Sequence, residues 1–157
     1  MKSIFKIIAA SLTMLLLTIA PAKAEHREHV VSGQDGFHYL VLQVSDNNPG
    51  TMTKVMNVAA NIVRLYEGRG EEVEVRIVAF NAGLHLLRED TSPVLDRLMS
   101  FSQSMPAISF VACGNTITGM TKKEGTPPPI VDFAEVVPGG VAEIMDLVEA
   151  GWILIRP

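Results

Sequence analysis

The chain has 157 residues, is 48% hydrophobic and carries a formal net charge of −4. Its single cysteine excludes an internal disulfide and a CxxC dithiol site, and the sequence contains no zinc-type ligand spacing, phosphate loop or GxGxxG motif. The acidic balance gives no electrostatic reason to expect nucleic acid or an anionic membrane as a partner.

The first 24 residues have the pattern of a secretory signal peptide. Lys2 and Lys6 precede a mostly apolar run over 7–20, and Ala22-Lys23-Ala24 fits a small-x-small cleavage site. We therefore expect cleavage after Ala24 and a periplasmic or secreted protein with no membrane contact afterwards. An uncleaved anchor is the alternative, although a spanning helix needs about 20 predominantly apolar residues.

Residues beyond the leader suit one domain with one hydrophobic core. Without residues 1–24 the chain keeps 10 Lys+Arg against 17 Asp+Glu, a net charge of −7. Residues 25–36 are polar and are predicted to form a surface arm, and residues 37–157 are predicted to form the domain.

Two strands and a helix are predicted in the first half of this domain. The nearly continuous apolar run 37–44 predicts a strand covered on both faces, and a turn cluster follows at 45–50. Apolar residues at three- and four-residue steps predict a helix over 51–67. Residues 73–80 predict the second strand, which ends at Asn81-Ala82-Gly83.

Another helix and the third strand are predicted next. Residues 84–89 form a short turn or helix in this interpretation. Ser92 before Pro93 is typical of a helix start, with the serine as N-cap and the proline at the first helical position. Pro106 ends that helix, and the apolar run 107–112 predicts the third strand.

The last third of the chain is predicted to add two helices and two strands. A short helix begins near Asn115 or Thr116, both good cap residues, and a polar, proline-rich loop follows over 122–129. The later elements are a fourth strand within 131–137, a helix opened by 138–140 and a last strand over 152–155.

Strands and helices therefore alternate along the whole predicted domain. This alternation is typical of an α/β fold, a three-layer α/β/α sandwich in the flavodoxin-like style. We expect a mostly parallel sheet of about five strands with helices on both faces. The order of the strands within the sheet cannot be read from the pattern.

Cys113 is the candidate reactive residue because it follows the third predicted strand. Open parallel sheets bind ligands beyond the carboxyl ends of their strands. A thiol at the start of the next helix meets unpaired N–H groups and the positive end of the helix dipole, which favour the thiolate. Gly114 leaves room for backbone or substrate to approach. The alternative is a small buried hydrophobe, the usual state of a free cysteine.

Three segments resemble the DsrE/DsrF-like family of small sulfur-handling proteins: FVACGNT at 110–116, VVPGGVAEI at 136–144 and EAGWILIRP at 149–157. The resemblance extends over 37–157. It implies an α/β/α fold, a tendency to form trimers or hexamers, and a cysteine that accepts sulfur as a persulfide and passes it on. Only Cys113 matches that role. We expect no cofactor. The sulfur-relay members act in the cytoplasm, whereas this chain has an export-type leader.

Other residues on the same predicted rim are candidates for the site. His85 could assist thiolate formation if the second and third strands are neighbours, although a surface loop histidine is the more common case. Asn81 could donate a hydrogen bond there. Asn47 could line the pocket, although such a cluster more often reflects turn chemistry. Lys122 and Lys123 could attract an anionic sulfur species or could simply be solvated.

The sequence thus supports several functional hypotheses. The first is an exported protein that binds or carries sulfane sulfur on Cys113, with a small sulfur species or a donor or acceptor protein as partner. The second is a non-catalytic module that binds a small ligand or a partner, with Cys113 buried. A peroxide-reactive thiol is the third, and it lacks a resolving cysteine. We expect no metal site, since His26 and His29 lie in the arm.

Overall fold

The computed structural model describes residues 32–33 and 36–157. The predicted signal peptide and most of the predicted arm lie outside the described residues. The strands are β1 (Phe37–Val44), β2 (Glu72–Ala79), β3 (Ile108–Cys113), β4 (Ala134–Val137) and β5 (Ile153–Ile155). The helices are α1 (Pro49–Glu67), α2 (Leu95–Ser104), α3 (Gly114–Glu124) and α4 (Gly140–Glu149), and a 3-10 helix covers Asn81–Leu87.

All five described strands run parallel in one sheet, in the order β4-β3-β2-β1-β5. The chain builds β1 to β4 as successive neighbours and then moves to the opposite edge, where β5 pairs with β1. The α/β fold class predicted from the alternation of elements is therefore confirmed.

Both faces of the sheet are covered, which explains why the central strands are apolar at almost every position. On one face, Leu40 and Leu42 of β1 join a core built with α1, the 3-10 helix and α2. On the other face, Val41 packs in a smaller cluster with Ile144 and Leu147 of α4. The alternation of side chains along β1 places successive residues in these two layers.

The connection from β4 to β5 determines which helix begins beside the carboxyl ends of the central strands. Because α4 connects strands at opposite edges, it crosses the back of the sheet over Val78, Val111 and Val137. Its first residue, Gly140, follows β4 closely and so lies at the carboxyl ends of the strands. The helix after β3 also begins at this rim, so two helix N-termini meet there.

Several predicted boundaries were wrong for local reasons. Helix α2 begins at Leu95 rather than Pro93, since the Ser92 hydroxyl donates to the Leu86 carbonyl at 2.9 Å and does not cap α2. Helix α3 begins at Gly114, with Cys113 in the N-cap position. It also extends to Glu124, through the start of the predicted loop, and ends at Gly125, whose φ of 82° suits glycine.

Candidate functional site

A cavity of about 710 Å³ lies at the carboxyl ends of β2, β3 and β4. The chain segments that leave these three strands form its wall: the end of β2 with the 3-10 helix, helix α3, and the start of α4. The residues that line the cavity are Phe80, Asn81, Ala82, His85, Cys113, Asn115, Thr116, Gly119, Met120, Lys123, Glu124, Gly139, Gly140, Val141 and Ala142. The cavity occupies the rim where open parallel sheets bind ligands.

Cys113 forms part of the cavity wall and is 5% exposed. It is the last residue of β3 and lies directly before α3. Gly140 packs closely against it, because a Cβ atom on Gly140 would lie 3.1 Å from the Cβ of Cys113. The thiol is therefore held between the first turns of α3 and α4, and the cavity is its route to solvent.

The surroundings of Cys113 favour its ionised form. Burial raises the pKa of the thiol, but hydrogen bonds to the sulfur outweigh burial and hold the pKa below its ordinary value. The Thr116 hydroxyl contributes most, followed by the backbone N–H groups of Gly140, Thr116 and Asn115. The Asn115 N–H contributes least, and it also donates to the Pro138 carbonyl at 3.0 Å.

Thr116 connects the thiol to the 3-10 helix. Its Oγ1 accepts a hydrogen bond from the backbone N–H of Asn81 at 3.0 Å, so its own proton is free to point at the sulfur. Asn81 has a φ of 49°, a left-handed conformation that asparagine tolerates better than most residues. Asn81 therefore donates to Thr116 through its backbone, and a hydrogen bond from Asn81 to the thiol stays a prediction.

His85 lines the same cavity, as its position after β2 predicted. Its Nδ1 atom lies 2.7 Å from the Thr91 hydroxyl, which orients the ring. The groups that lower the pKa of Cys113 do not include His85. The arrangement therefore gives His85 a place in the cavity wall, while its assistance to the thiol stays a prediction.

Of two other predicted site residues, Gly114 has a structural role and Asn47 does not line the cavity. Gly114 is required by close backbone packing, since a Cβ atom there would lie 2.9 Å from the Val137 carbonyl oxygen of β4. The neighbour that approaches Gly114 is thus backbone. Asn47 is not among the residues that line the cavity, and its role in binding stays a prediction. Next to it, Asn48 caps α1 through its side-chain oxygen.

A buried arginine holds the far end of α3 in place. Arg88 follows the 3-10 helix and is 3% exposed. Its guanidinium donates two hydrogen bonds to Asp90 and two to Glu124, with distances from 2.7 to 2.9 Å. These bonds raise the pKa of Arg88 and lower the pKa of both carboxyl groups. The cluster ties the last residue of α3 to the chain that carries His85.

Sequence reasoning missed the contribution of α4 to this site. Gly139 and Gly140 were interpreted only as a helix start, although Gly140 supplies both space and an N–H group beside Cys113. The signal available was two adjacent glycines at the end of a strand. Phe80 and Met120 were likewise assigned to secondary structure without being placed in a cavity wall.

The described residues contain no group of three His, Cys, Asp or Glu side chains arranged to hold a metal ion. His26 and His29 lie outside them. Within residues 32–33 and 36–157, no helix has the length and apolar content needed to cross a membrane.

No family model matches the chain, and no curated protein matches it. A solved structure with a similar fold is the protein of unknown function MTH1491 from Methanobacterium thermoautotrophicum, with a TM-score of 0.62 and 23% sequence identity. The match covers 75% of this chain and 97% of that chain. Likeness at this identity shows the fold alone, and the resemblance to DsrE/DsrF-like proteins stays a prediction.

Proposed function

We propose that this protein is an exported carrier of sulfane sulfur, with Cys113 as the acceptor. The observation that carries the proposal is the placement of the one thiol between the N-termini of α3 and α4, in the wall of a cavity. Helix N-termini stabilise anions, and thiolate is the form that attacks sulfur. The export-type leader supports the location, and the DsrE/DsrF-like segments support the chemistry.

The proposed reaction is a thiolate–sulfur exchange that needs no oxidant. The Cys113 thiolate attacks a sulfane sulfur of the donor, and a new S–S bond forms on Sγ. The donor's S–S bond breaks, and the leaving sulfur takes the electron pair as sulfide or thiolate. The same N–H groups then lie beside the persulfide, whose negative charge is on its terminal sulfur. A thiol acceptor removes the terminal sulfur by the reverse exchange.

Intact mass spectrometry tests this proposal directly. Mature protein is incubated with inorganic polysulfide, freed of excess reagent and weighed with and without reductant, beside Cys113→Ala. The proposal expects a gain of whole sulfur atoms in wild type that reductant removes and that the variant lacks. An unchanged wild-type mass, or an equal gain in Cys113→Ala, contradicts it.

The burial of Cys113 favours a second candidate, a non-catalytic binding module with a structural thiol. Only 5% of the residue is exposed, as is common for inert free cysteine. The two functions differ in how the folded protein reacts with a small neutral alkylating reagent. A carrier is alkylated through the cavity at neutral pH, whereas a structural thiol reacts only after denaturation.

We also propose that the protein assembles with further copies of itself. Val141, Met145 and Val148 form an apolar stripe on the outer side of α4, spaced by four and three residues, and are 53%, 57% and 43% exposed. The stripe begins at the cavity, since Val141 lines it. Exposed apolar surface of this kind is typical of protein interfaces. Light scattering should give a mass above one chain for wild type and a lower mass for Met145→Glu, and a monomeric wild type contradicts the proposal.

A further inference from the structure

The cavity is much larger than the reaction at Cys113 requires. Sites that hold drug-sized ligands have volumes of about 300–1,000 Å³, and this one has about 710 Å³. Thiosulfate and short polysulfides have about five heavy atoms or fewer, and a water molecule fills only about 30 Å³. An inorganic donor would therefore leave most of the cavity filled with solvent.

The composition of the wall differs from that of an inorganic anion site. Phe80, Met120 and Val141 present apolar surface, and Ala82 and Ala142 add small side chains. Small-molecule sites are usually mostly apolar, with a few polar groups that set orientation. This wall suits a donor whose sulfur is attached to a carbon skeleton.

A cation lies at the opposite end of the cavity from the thiol. Lys123 lines the cavity ten residues after Cys113, so about 15 Å of helix axis separates the two backbones at about 1.5 Å per residue. Helical side chains lean toward the N-terminus, which brings the ammonium back over the cavity. None of the described ion pairs involves Lys123.

Glu124 is the next residue after Lys123, and its carboxylate already pairs with Arg88. Its carboxylate is held by two hydrogen bonds from Arg88, at 2.7 and 2.9 Å. The Arg88–Asp90–Glu124 cluster carries a net charge of −1, and Lys123 is the one Lys or Arg among the residues that line the cavity. A molecule that touches both Cys113 and Lys123 must bridge much of this separation of about 15 Å, a length of several extended residues at about 3.3–3.6 Å each.

We infer that the sulfur donor is a small organic persulfide with a carboxylate, of the size of a tripeptide thiol. This inference rests on the proposed function. The donor's carboxylate pairs with Lys123, its skeleton packs against Phe80, Met120 and Val141, and its terminal sulfur reaches Cys113. The Cys113 thiolate forms a bond to that terminal sulfur, the donor's S–S bond breaks, and the organic thiolate leaves with the electron pair.

The test compares two donors on the same protein. Second-order rate constants for persulfide formation on Cys113 are measured by quenched intact mass spectrometry with glutathione persulfide and with inorganic disulfide. The informative quantity is the ratio of the two constants, because it cancels any change in the thiol itself.

Two substitutions address the cavity and the cation separately. A Cβ atom on Gly119 meets no heavy atom within 4 Å and Gly119 lines the cavity, so the side chain of Gly119→Leu is expected to occupy cavity space. It should lower the organic-to-inorganic ratio about tenfold. Lys123→Met should lower the ratio about threefold, as expected for an exposed ion pair. Lys122→Met is the matched control, since Lys122 does not line the cavity and should leave the ratio unchanged.

The outcomes separate this inference from the proposed function. Ratios that fall in Gly119→Leu and Lys123→Met but not in Lys122→Met support the organic donor. If inorganic disulfide loads Cys113 and the ratio is the same in all four proteins, the inference is wrong and the carrier function stands. If neither donor loads wild type, the proposed function itself fails. Circular dichroism of each variant confirms that the rates compare folded proteins.

Discussion

Removal of the Thr116 hydroxyl should make Cys113 less reactive at neutral pH. Thr116→Val keeps the shape of the side chain but deletes the donor that contributes most to the lowered pKa of the thiol. A hydrogen bond to a charged group is worth about 1.5–3 kcal/mol, against about 0.5–1.5 kcal/mol for a neutral one. The difference, about 1–1.5 kcal/mol, raises the ratio of thiolate to thiol about tenfold at a given pH.

The sign of the pH dependence follows from this difference. Below the pKa of the thiol, the thiolate fraction falls about tenfold in Thr116→Val, but a thiolate of higher pKa is the better nucleophile, so the variant should react about threefold more slowly than wild type. At a pH well above both pKa values, each thiol is fully ionised and the variant should react at least as fast as wild type. The valine variant therefore moves the pH profile toward higher pH without lowering its plateau.

The assay is the pH dependence of alkylation by iodoacetamide, read by intact mass. Because Cys113 is the single cysteine of the chain, every adduct reports on this thiol. Thr116→Ser is the matched control, since it keeps the hydroxyl and should retain the wild-type profile. Superimposable profiles for wild type and Thr116→Val would refute the role of this hydrogen bond.

Two further predictions concern stability. Gly83→Ala should lower the free energy of unfolding by about 3 kcal/mol or more, because the new Cβ would lie 2.2 Å from a carbonyl oxygen at the end of β1. In Gly119→Ala the new Cβ meets open space within a helix, so the free energy of unfolding should rise by about 0.5–1 kcal/mol. Urea denaturation measures both, and equal midpoints would contradict the packing argument. Arg88→Met should destabilise the protein at pH 7 because it removes the partner that lowers the pKa of Asp90 and Glu124. That stabilisation is present above the ordinary carboxyl pKa values of 3.8 and 4.5 and is lost as the pH falls through the lowered pKa values of the folded protein. The difference in free energy of unfolding between wild type and variant should therefore become smaller in acid. If this difference in free energy of unfolding stayed constant from pH 7 to pH 3, the ion pairs would not stabilise the fold.

The elements that form the site could be predicted because their signals are local. The apolar run before Cys113 and the polar residues after it are visible in a short window of sequence, and they indicate a strand followed by a helix. Placement of Cys113 at the carboxyl end of β3 follows from that pattern alone.

The strand order and the role of α4 could not be predicted, since both depend on long-range packing. Nothing in residues 138–152 indicates that the chain crosses to the far edge of the sheet, yet this crossing fixes where Gly140 approaches Cys113. Ser92 shows the same limit at a smaller scale. Its hydroxyl donates to the Leu86 carbonyl, and its oxygen accepts from the Val94 N–H at 3.4 Å, just before α2, so it caps no N–H group within the helix.

Cyanolysis of the loaded protein is the most direct measurement of the central claim, that Cys113 accepts and releases sulfane sulfur. Cyanide removes the terminal sulfur of a persulfide as thiocyanate and returns the cysteine thiolate. After loading with polysulfide and removal of excess reagent, wild type should release about one thiocyanate per chain, since the chain has one cysteine. Cys113→Ser should release none. Equal release from both proteins, or no release from wild type, would contradict the account.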